Sequence, residues 1–181
     1  MRITNAAGPF VQGWLQGAAR MNRGEGIWYA QGKMYVMDTS GGAVQRGSIW
    51  ELDLVSQVLT CIYSSPSQLV GNMGDNLTVS PRNAILICED ASTAAADPFG
   101  FGQRLMGITS QGDAYIFAKN NFNLTANQLQ TAGKMASLAG DQRANEFAGA
   151  CFDPTGRYLF VNIQTPGVTF AITGPWAKGP L

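Results

Sequence analysis

The chain has 181 residues, a length that suits one domain, and its 45% apolar residues are enough for a core of ordinary size. Its 12 basic and 12 acidic residues balance, and no two basic residues are adjacent, which argues against a nucleic-acid-binding surface. The sequence contains no histidine, which excludes histidine-based hydrolases and typical zinc enzymes, and no apolar run approaches the ~20 residues of a membrane span.

The first segment, residues 1–22, is weakly patterned. Phe10, Trp14 and Leu15 have the spacing of a helical turn that packs against the rest of the chain. The first 30 residues contain no basic segment followed by an apolar one, so the sequence shows no export signal.

An internal repeat follows, in which residues 25–38, 75–90 and 146–162 share the order acid, short strand, turn, longer strand. The turns contain Pro, Gly or Asn, which supply the fixed or positive φ that hairpin connections require. Further strand-like segments continue the three units, at residues 48–52 and 59–63, 105–108 and 114–118, and 167–172. The first two units therefore have four predicted strands each and the third has three.

Repeated four-stranded units are typical of β-propeller blades. We therefore predict an all-β fold in which a single domain, residues 1–181, contains about three blades of an incomplete β-propeller. The blades span approximately residues 23–66, 73–120 and 145–176, and an insertion at 121–144 contains a short helix. A sandwich of short antiparallel strands is the alternative, although it does not explain the acid at the start of each unit.

These acids are Glu25, Asp75 and Glu146. The first strand of each blade lines the central channel of a propeller, so the three side chains are expected to converge at its mouth. Clustered carboxylates repel one another unless protons or cations lie among them, and oxygen-only ligands suit hard cations such as Ca²⁺, Mg²⁺ or Fe³⁺. In the alternative interpretation, each acid is an ordinary strand-end carboxylate that accepts backbone N–H groups.

Two further residues are candidates for the site. Arg23 precedes Glu25 by two positions, so alternation places both side chains on one side of an extended segment. There the guanidinium either recognises phosphate or forms a plain ion pair with Glu25. Glu89 ends the long strand of the second unit and Asp90 follows it, and for this acidic pair a ligand role and a solvent-facing role are both open.

Several motifs, in order along the chain, resemble the C-terminal half of the PhoX-type alkaline phosphatases. They lie at residues 23–29, 75–82, 88–90, 146–156 and 159–169. The likeness extends from about residue 23 to 176 and excludes the insertion. This resemblance implies a six-bladed propeller enzyme, exported to the periplasm or the cell exterior, that hydrolyses phosphate monoesters with Ca²⁺ and Fe³⁺.

Transferred residue by residue, the resemblance implies that Glu25, Asp75 and Glu146 bind metal, that Arg23 holds the phosphate, and, more weakly, that Glu89 is also a ligand. It further implies that the chain is a fragment completed by other blades or by a second copy. The alternative function is a non-enzymatic, calcium-binding propeller segment that serves as an interaction surface. A lactonase-like calcium hydrolase would share the architecture without needing Arg23.

Overall fold

The computed structural model describes residues 8–91 and 99–181 and shows an all-β architecture. The first sheet has the strand order β1 (Gly24–Ala30), β2 (Lys33–Asp38), β3 (Ser48–Asp53), β4 (Leu59–Ser64). The second has the order β5 (Gly74–Val79), β6 (Ile85–Glu89), β7 (Arg104–Ile108), β8 (Ala114–Lys119). A two-stranded ribbon of β9 (Asn123–Leu124) and β10 (Gly140–Asp141) precedes a third sheet, β11 (Phe147–Phe152), β12 (Leu159–Ile163), β13 (Val168–Ile172).

This arrangement confirms the predicted strands and their grouping into two units of four and one of three. Each strand pairs antiparallel with its neighbour in sequence, as short hairpin connections require. The polypeptide therefore forms each sheet completely before it enters the next.

In the described part of the chain, two short α-helices flank the sheets, and 3₁₀ turns lie at Ala136–Leu138 and Trp176–Lys178. The helix expected in the insertion is present as α2 (Ala126–Thr131), where Thr125 and Gln128 form a capping box at the N-terminus. The N-terminal segment also contains a helical turn, α1 (Pro9–Leu15). However, Phe10, Trp14 and Leu15 are all exposed, so the expected packing of these side chains against the rest of the chain is wrong.

The second sheet is buried on both faces, because strand alternation sends its side chains into two separate cores. On β6, Ile85 and Ile87 contribute to a core shared with Met37 and Ile49 of the first sheet. The core facing the third sheet has ten buried members: Ala84, Leu86, Cys88, Leu105, Phe147, Ala150, Leu159, Val161, Ile163 and Leu181. Every residue of β6 and β7 is buried as a result.

The three sheets meet through their first strands. β5 packs against β1 on one side and against β11 on the other. The segments that begin each sheet are thereby brought together, and these segments carry the candidate acids.

Candidate metal centre

Three carboxylates converge where the first strands meet. Asp75 lies in β5, Asp90 directly follows β6, and Glu146 directly precedes β11. One carboxylate oxygen from each lies within 4.8 Å of the others, and all three residues are half-buried. The structure therefore brings together two of the three predicted acids and adds a third carboxylate, Asp90.

A β-bulge positions Asp75. In the pairing of β5 with β6, Gly74 lies opposite Glu89 and Asn76 lies opposite Cys88, so Asp75 is the extra residue without an opposite partner. A bulge bends its strand and redirects a side chain, a device common beside functional sites. The β1–β2 pairing also has a bulge, between Gly24 and Ile27, and it contains Glu25.

The acids do not occupy one shared position in their sheets, contrary to the alignment of the repeats. Equivalent positions are marked by three backbone hydrogen bonds, in which the N–H groups of Thr39, Asp90 and Gln164 donate to the C=O groups of Arg23, Met73 and Glu146. Glu146 therefore corresponds to Arg23, not to Glu25. It reaches Asp75 because the sheets pack against each other, and not because the repeat is exact.

The pKa values of two of the converging carboxyl groups are raised. Burial, followed by the negative charge of Asp90 and a hydrogen bond with it, raises the pKa of Glu146 to about 7, with smaller contributions from Asp75 and Glu25. Burial also raises the pKa of Asp75, although a hydrogen bond from Thr39 opposes that shift. A cation among these oxygens would relieve the repulsion.

Arg23 and Glu25 lie beside the three acids. Their side chains form an ion pair with an N–O distance of 3.7 Å, and each remains about half exposed, at 50% and 42%. The prediction that both side chains lie on one side of the segment is confirmed. Arg23 has a φ of 66°, a left-handed conformation that is uncommon for a residue other than glycine. Its guanidinium can be reached by an anion from solvent.

Glu89 is not part of the acidic group. It is buried, and its carboxylate accepts two hydrogen bonds from the Arg104 guanidinium, from Nε at 2.6 Å and from Nη2 at 2.8 Å. It also accepts the backbone N–H of Asn72 at 2.6 Å. The structure thus gives Glu89 an arginine partner inside the protein, on the face of β6 that is turned toward the first sheet.

Strand alternation separates Asp90 from Glu89, although the resemblance implies a ligand role, more weakly, for Glu89. Leu86 and Cys88 point toward the third sheet, whereas Ile85 and Ile87 point toward the first. Continuing this alternation places Glu89 on the first-sheet side and Asp90 on the side where Glu146 lies. The structure therefore places Asp90, and not Glu89, in the acidic group.

The acidic group predicts a specific pH dependence for the cation-free protein. Because the folded-state pKa of Glu146 lies above its ordinary value of 4.5, the folded chain retains a proton that the unfolded chain has lost. This contribution to stability is full below about pH 4.5 and is lost as the pH rises through about 7. We expect the free energy of unfolding, measured with urea in EDTA, to fall between about pH 5 and about pH 8.

In Glu146→Gln, the decrease in the free energy of unfolding that Glu146 causes over this pH range should disappear. The decrease should persist in Asp113→Asn, which changes an exposed acid in the turn between β7 and β8. The groups acting on Glu146 are Asp75, Asp90 and Glu25, with Arg23 as the nearby cation. An unchanged pH dependence in Glu146→Gln would contradict the assignment.

Two cavities in the described part of the chain lie away from the acids and are mainly apolar. One, of about 320 Å³, lies between the second and third sheets and is lined by residues such as Leu105, Phe122 and Phe170. The other, of about 360 Å³, lies beneath the C-terminal segment beside Tyr115 and Trp176. No Asp or Glu side chain lines either cavity, so the acidic group is the stronger candidate for chemistry.

Comparison with known proteins gives one family match. The family model for the alkaline phosphatase PhoX matches residues 6–167, which is most of the chain. No curated protein matches the sequence. No helix in the described part of the chain is long and apolar enough to cross a membrane.

Proposed function

The chain belongs to the PhoX alkaline phosphatase family, and from this premise we propose that it hydrolyses phosphate monoesters at a metal centre formed by Asp75, Asp90 and Glu146. The observation that carries the proposal is the convergence of three half-buried carboxylates within 4.8 Å, beside an accessible arginine. Phosphate transfer requires neutralisation of phosphoryl oxygens, and this arrangement can bind the cations that supply it.

The donor set fits Ca²⁺ and Fe³⁺, the cations implied by the resemblance. Its ligand atoms are all carboxylate oxygens, which hard cations prefer, and the chain contains no histidine. Since Ca²⁺ takes about 6–8 oxygens, three carboxylates leave coordination positions for water, for a fourth carboxylate such as Glu25, and for a phosphate oxygen. When bound, such cations stabilise charge on the attacking and leaving oxygens.

The remaining roles belong to the chain's own residues. Arg23 donates hydrogen bonds to phosphate oxygens, since its planar fork matches two of them at once. Glu25 orients Arg23 through their ion pair when no substrate is present. The half-burial of the acids limits the access of water and so strengthens each charge interaction at the centre.

We also propose that the three main sheets are blades of a propeller, at residues 23–66, 73–120 and 145–176, joined by the insertion at 121–144. The position of β5 between β1 and β11 supports this proposal, because adjacent blades of a propeller meet through their innermost strands. In that arrangement the acidic group lies at the mouth of the channel.

The test is hydrolysis of p-nitrophenyl phosphate by the purified chain after EDTA treatment, before and after addition of Ca²⁺ and Fe³⁺ separately and together. We expect turnover that requires added cations and that is largely lost in Asp90→Asn. The matched control is again Asp113→Asn, which should behave as the unaltered chain does. Bis-p-nitrophenyl phosphate, a diester, should be hydrolysed more slowly than the monoester.

Turnover that persists without any cation would contradict the proposal. Stoichiometric Ca²⁺ binding without turnover would favour the alternative function, a calcium-binding segment that does not itself catalyse hydrolysis. Solution mass, measured in the same preparations, would show whether active material contains one copy or two.

A further inference from the structure

Thr39 connects the first sheet to the acidic group. It directly follows β2 and is fully buried, with 0% of its surface exposed. Its hydroxyl donates to the Gly74 carbonyl oxygen at 2.8 Å and to Asp75 Oδ1 at 3.0 Å, and the single proton is shared between these two acceptors in a three-centre hydrogen bond. The Thr39 side chain, which follows a strand of the first sheet, thus contacts the bulge of the second sheet at Asp75.

The backbone of Thr39 contacts the other half of the site. Its N–H donates to the C=O of Arg23 at 3.0 Å. The segment before Arg23 is held in turn by Asp38, whose Oδ1 accepts the N–H of Asn22 at 2.6 Å. Thr39 therefore contacts two residues of the proposed site. Its backbone contacts Arg23, which is proposed to hold phosphate, and its side chain contacts Asp75, which is proposed to bind metal.

The strands around this contact are packed too closely for Asp75 to adjust independently. Gly26 of β1 lies against the backbone of β5, where an added Cβ would stand 2.5 Å from the Asp75 carbonyl oxygen. Since real Cβ atoms do not approach so closely, only glycine permits this contact. The backbone of the bulge is fixed by Gly26 on one side, which leaves the hydroxyl of Thr39 to orient the carboxylate.

We infer that Thr39 is a positioning residue that orients the Asp75 carboxylate for a hard cation and fixes its place relative to Arg23. The inference rests on the proposed function, since it takes Asp75 to be a ligand. A hydrogen bond to Oδ1 leaves Oδ2 to face a cation, so the hydroxyl restricts rotation of the carboxylate without occupying all of its acceptor capacity. Such outer hydrogen bonds commonly change metal affinity by 10- to 100-fold.

Thr39→Val tests this, because it removes the hydroxyl and keeps the side-chain shape and the backbone bond to Arg23. The chain is treated with EDTA, exchanged into metal-free buffer at one pH, and titrated with CaCl₂ by calorimetry. We expect Ca²⁺ affinity to fall about 10- to 100-fold in Thr39→Val and to be restored to within about threefold in Thr39→Ser.

The chain provides a matched control in Thr78. It lies in β5, the same strand as Asp75, and is also 0% exposed, but its hydroxyl has no hydrogen-bond partner among the described residues. Thr78→Val makes the same chemical change at the same burial without touching the carboxylate. It should leave Ca²⁺ affinity within about twofold of the unaltered chain.

A double-mutant cycle with Asp75→Asn shows whether Thr39→Val lowers Ca²⁺ affinity through Asp75. If Thr39 acts through Asp75, adding Thr39→Val to Asp75→Asn should reduce Ca²⁺ affinity no further, so that the two effects are strongly non-additive. Should Thr39→Val fail to fold, Thr39→Ala and Thr39→Ser give the same comparison, since both lack the methyl group and differ only in the hydroxyl.

Unchanged Ca²⁺ affinity in Thr39→Val, equal losses in Thr39→Val and Thr78→Val, or additive effects in the cycle would each overturn the inference. These outcomes are distinguishable from failure of the proposed function. A chain that binds Ca²⁺ and hydrolyses no phosphate monoester contradicts the proposed function alone, and Thr39 is still tested by the affinities. A chain that binds no Ca²⁺ contradicts both.

Discussion

Arg23→Ala is expected to lower kcat/KM for p-nitrophenyl phosphate by about 10²- to 10³-fold, the usual loss when one donor to a developing negative charge is removed. The guanidinium is half exposed beside the acidic group, where it can contact a phosphate that the cations also hold. Ca²⁺ affinity should change little, because Arg23 donates hydrogen bonds and offers no oxygen to a cation. Arg23→Lys should recover only part of the loss, since an ammonium group lacks the planar fork.

Arg143 provides the matched control for Arg23. It pairs with Asp141, two residues away, at 2.8 Å, while Arg23 pairs with Glu25 across the same sequence separation at 3.7 Å. Its side chain is also partly exposed, at 32%. Arg143→Ala should alter kcat/KM by less than about twofold. Equal rates for Arg23→Ala and the unaltered chain would refute the role in phosphate binding and leave Arg23 as the plain partner of Glu25.

Arg104→Met is expected to lower the free energy of unfolding by about 3–5 kcal/mol, measured by urea denaturation. Arg104 has 1% of its surface exposed and donates to Glu89 through Nε and Nη2. It also donates to the carbonyl oxygens of Leu69 and Gln68, each at 2.8 Å. Its removal leaves a carboxylate inside the protein without its compensating charge, which costs far more than the loss of a surface pair.

The comparison is Lys33→Met, which removes an ion pair of similar N–O distance, 2.6 Å between Lys33 and Glu51, near the surface. That change should cost much less than Arg104→Met does, because solvent screens the exposed pair. Combining Arg104→Met with Glu89→Leu should recover part of the loss, because no unpaired charge then remains buried. If Arg104→Met and Lys33→Met cost the same, the buried pair does not have the structural role assigned to it.

The strands of the three main sheets were predictable because most are short apolar runs bounded by turn residues, and this local signal is independent of the rest of the chain. The two-residue strands β9 and β10 in the insertion were not predicted, since neither is an apolar run. The acidic group was only partly predictable. A bulge adds one residue to a strand and changes which face the next side chain occupies, and neither the bulge at Asp75 nor the offset of Glu146 is visible in the spacing of apolar residues.

Glu89 and Asp90 are a second case in which the sequence alone does not show which side chain reaches the site. Alternation along β6 places the two side chains on opposite faces of the sheet, but which face meets the third sheet depends on how the sheets pack. Thr39 was beyond sequence reasoning altogether, since its contact with Asp75 spans two sheets and 36 positions of sequence. Contacts of this kind follow from tertiary packing and leave no periodic signature.

The double burial of β6 limits how its sequence can vary. Residues 85 and 87 must fit one neighbouring sheet while residues 86 and 88 fit the other, so four consecutive positions satisfy two independent packing requirements. Asp90 lies two positions after Cys88, directly beyond the end of β6, and its carboxylate depends on both cores for its location. A substitution that is neutral for one core can therefore still displace the Asp90 carboxylate through its effect on the other core.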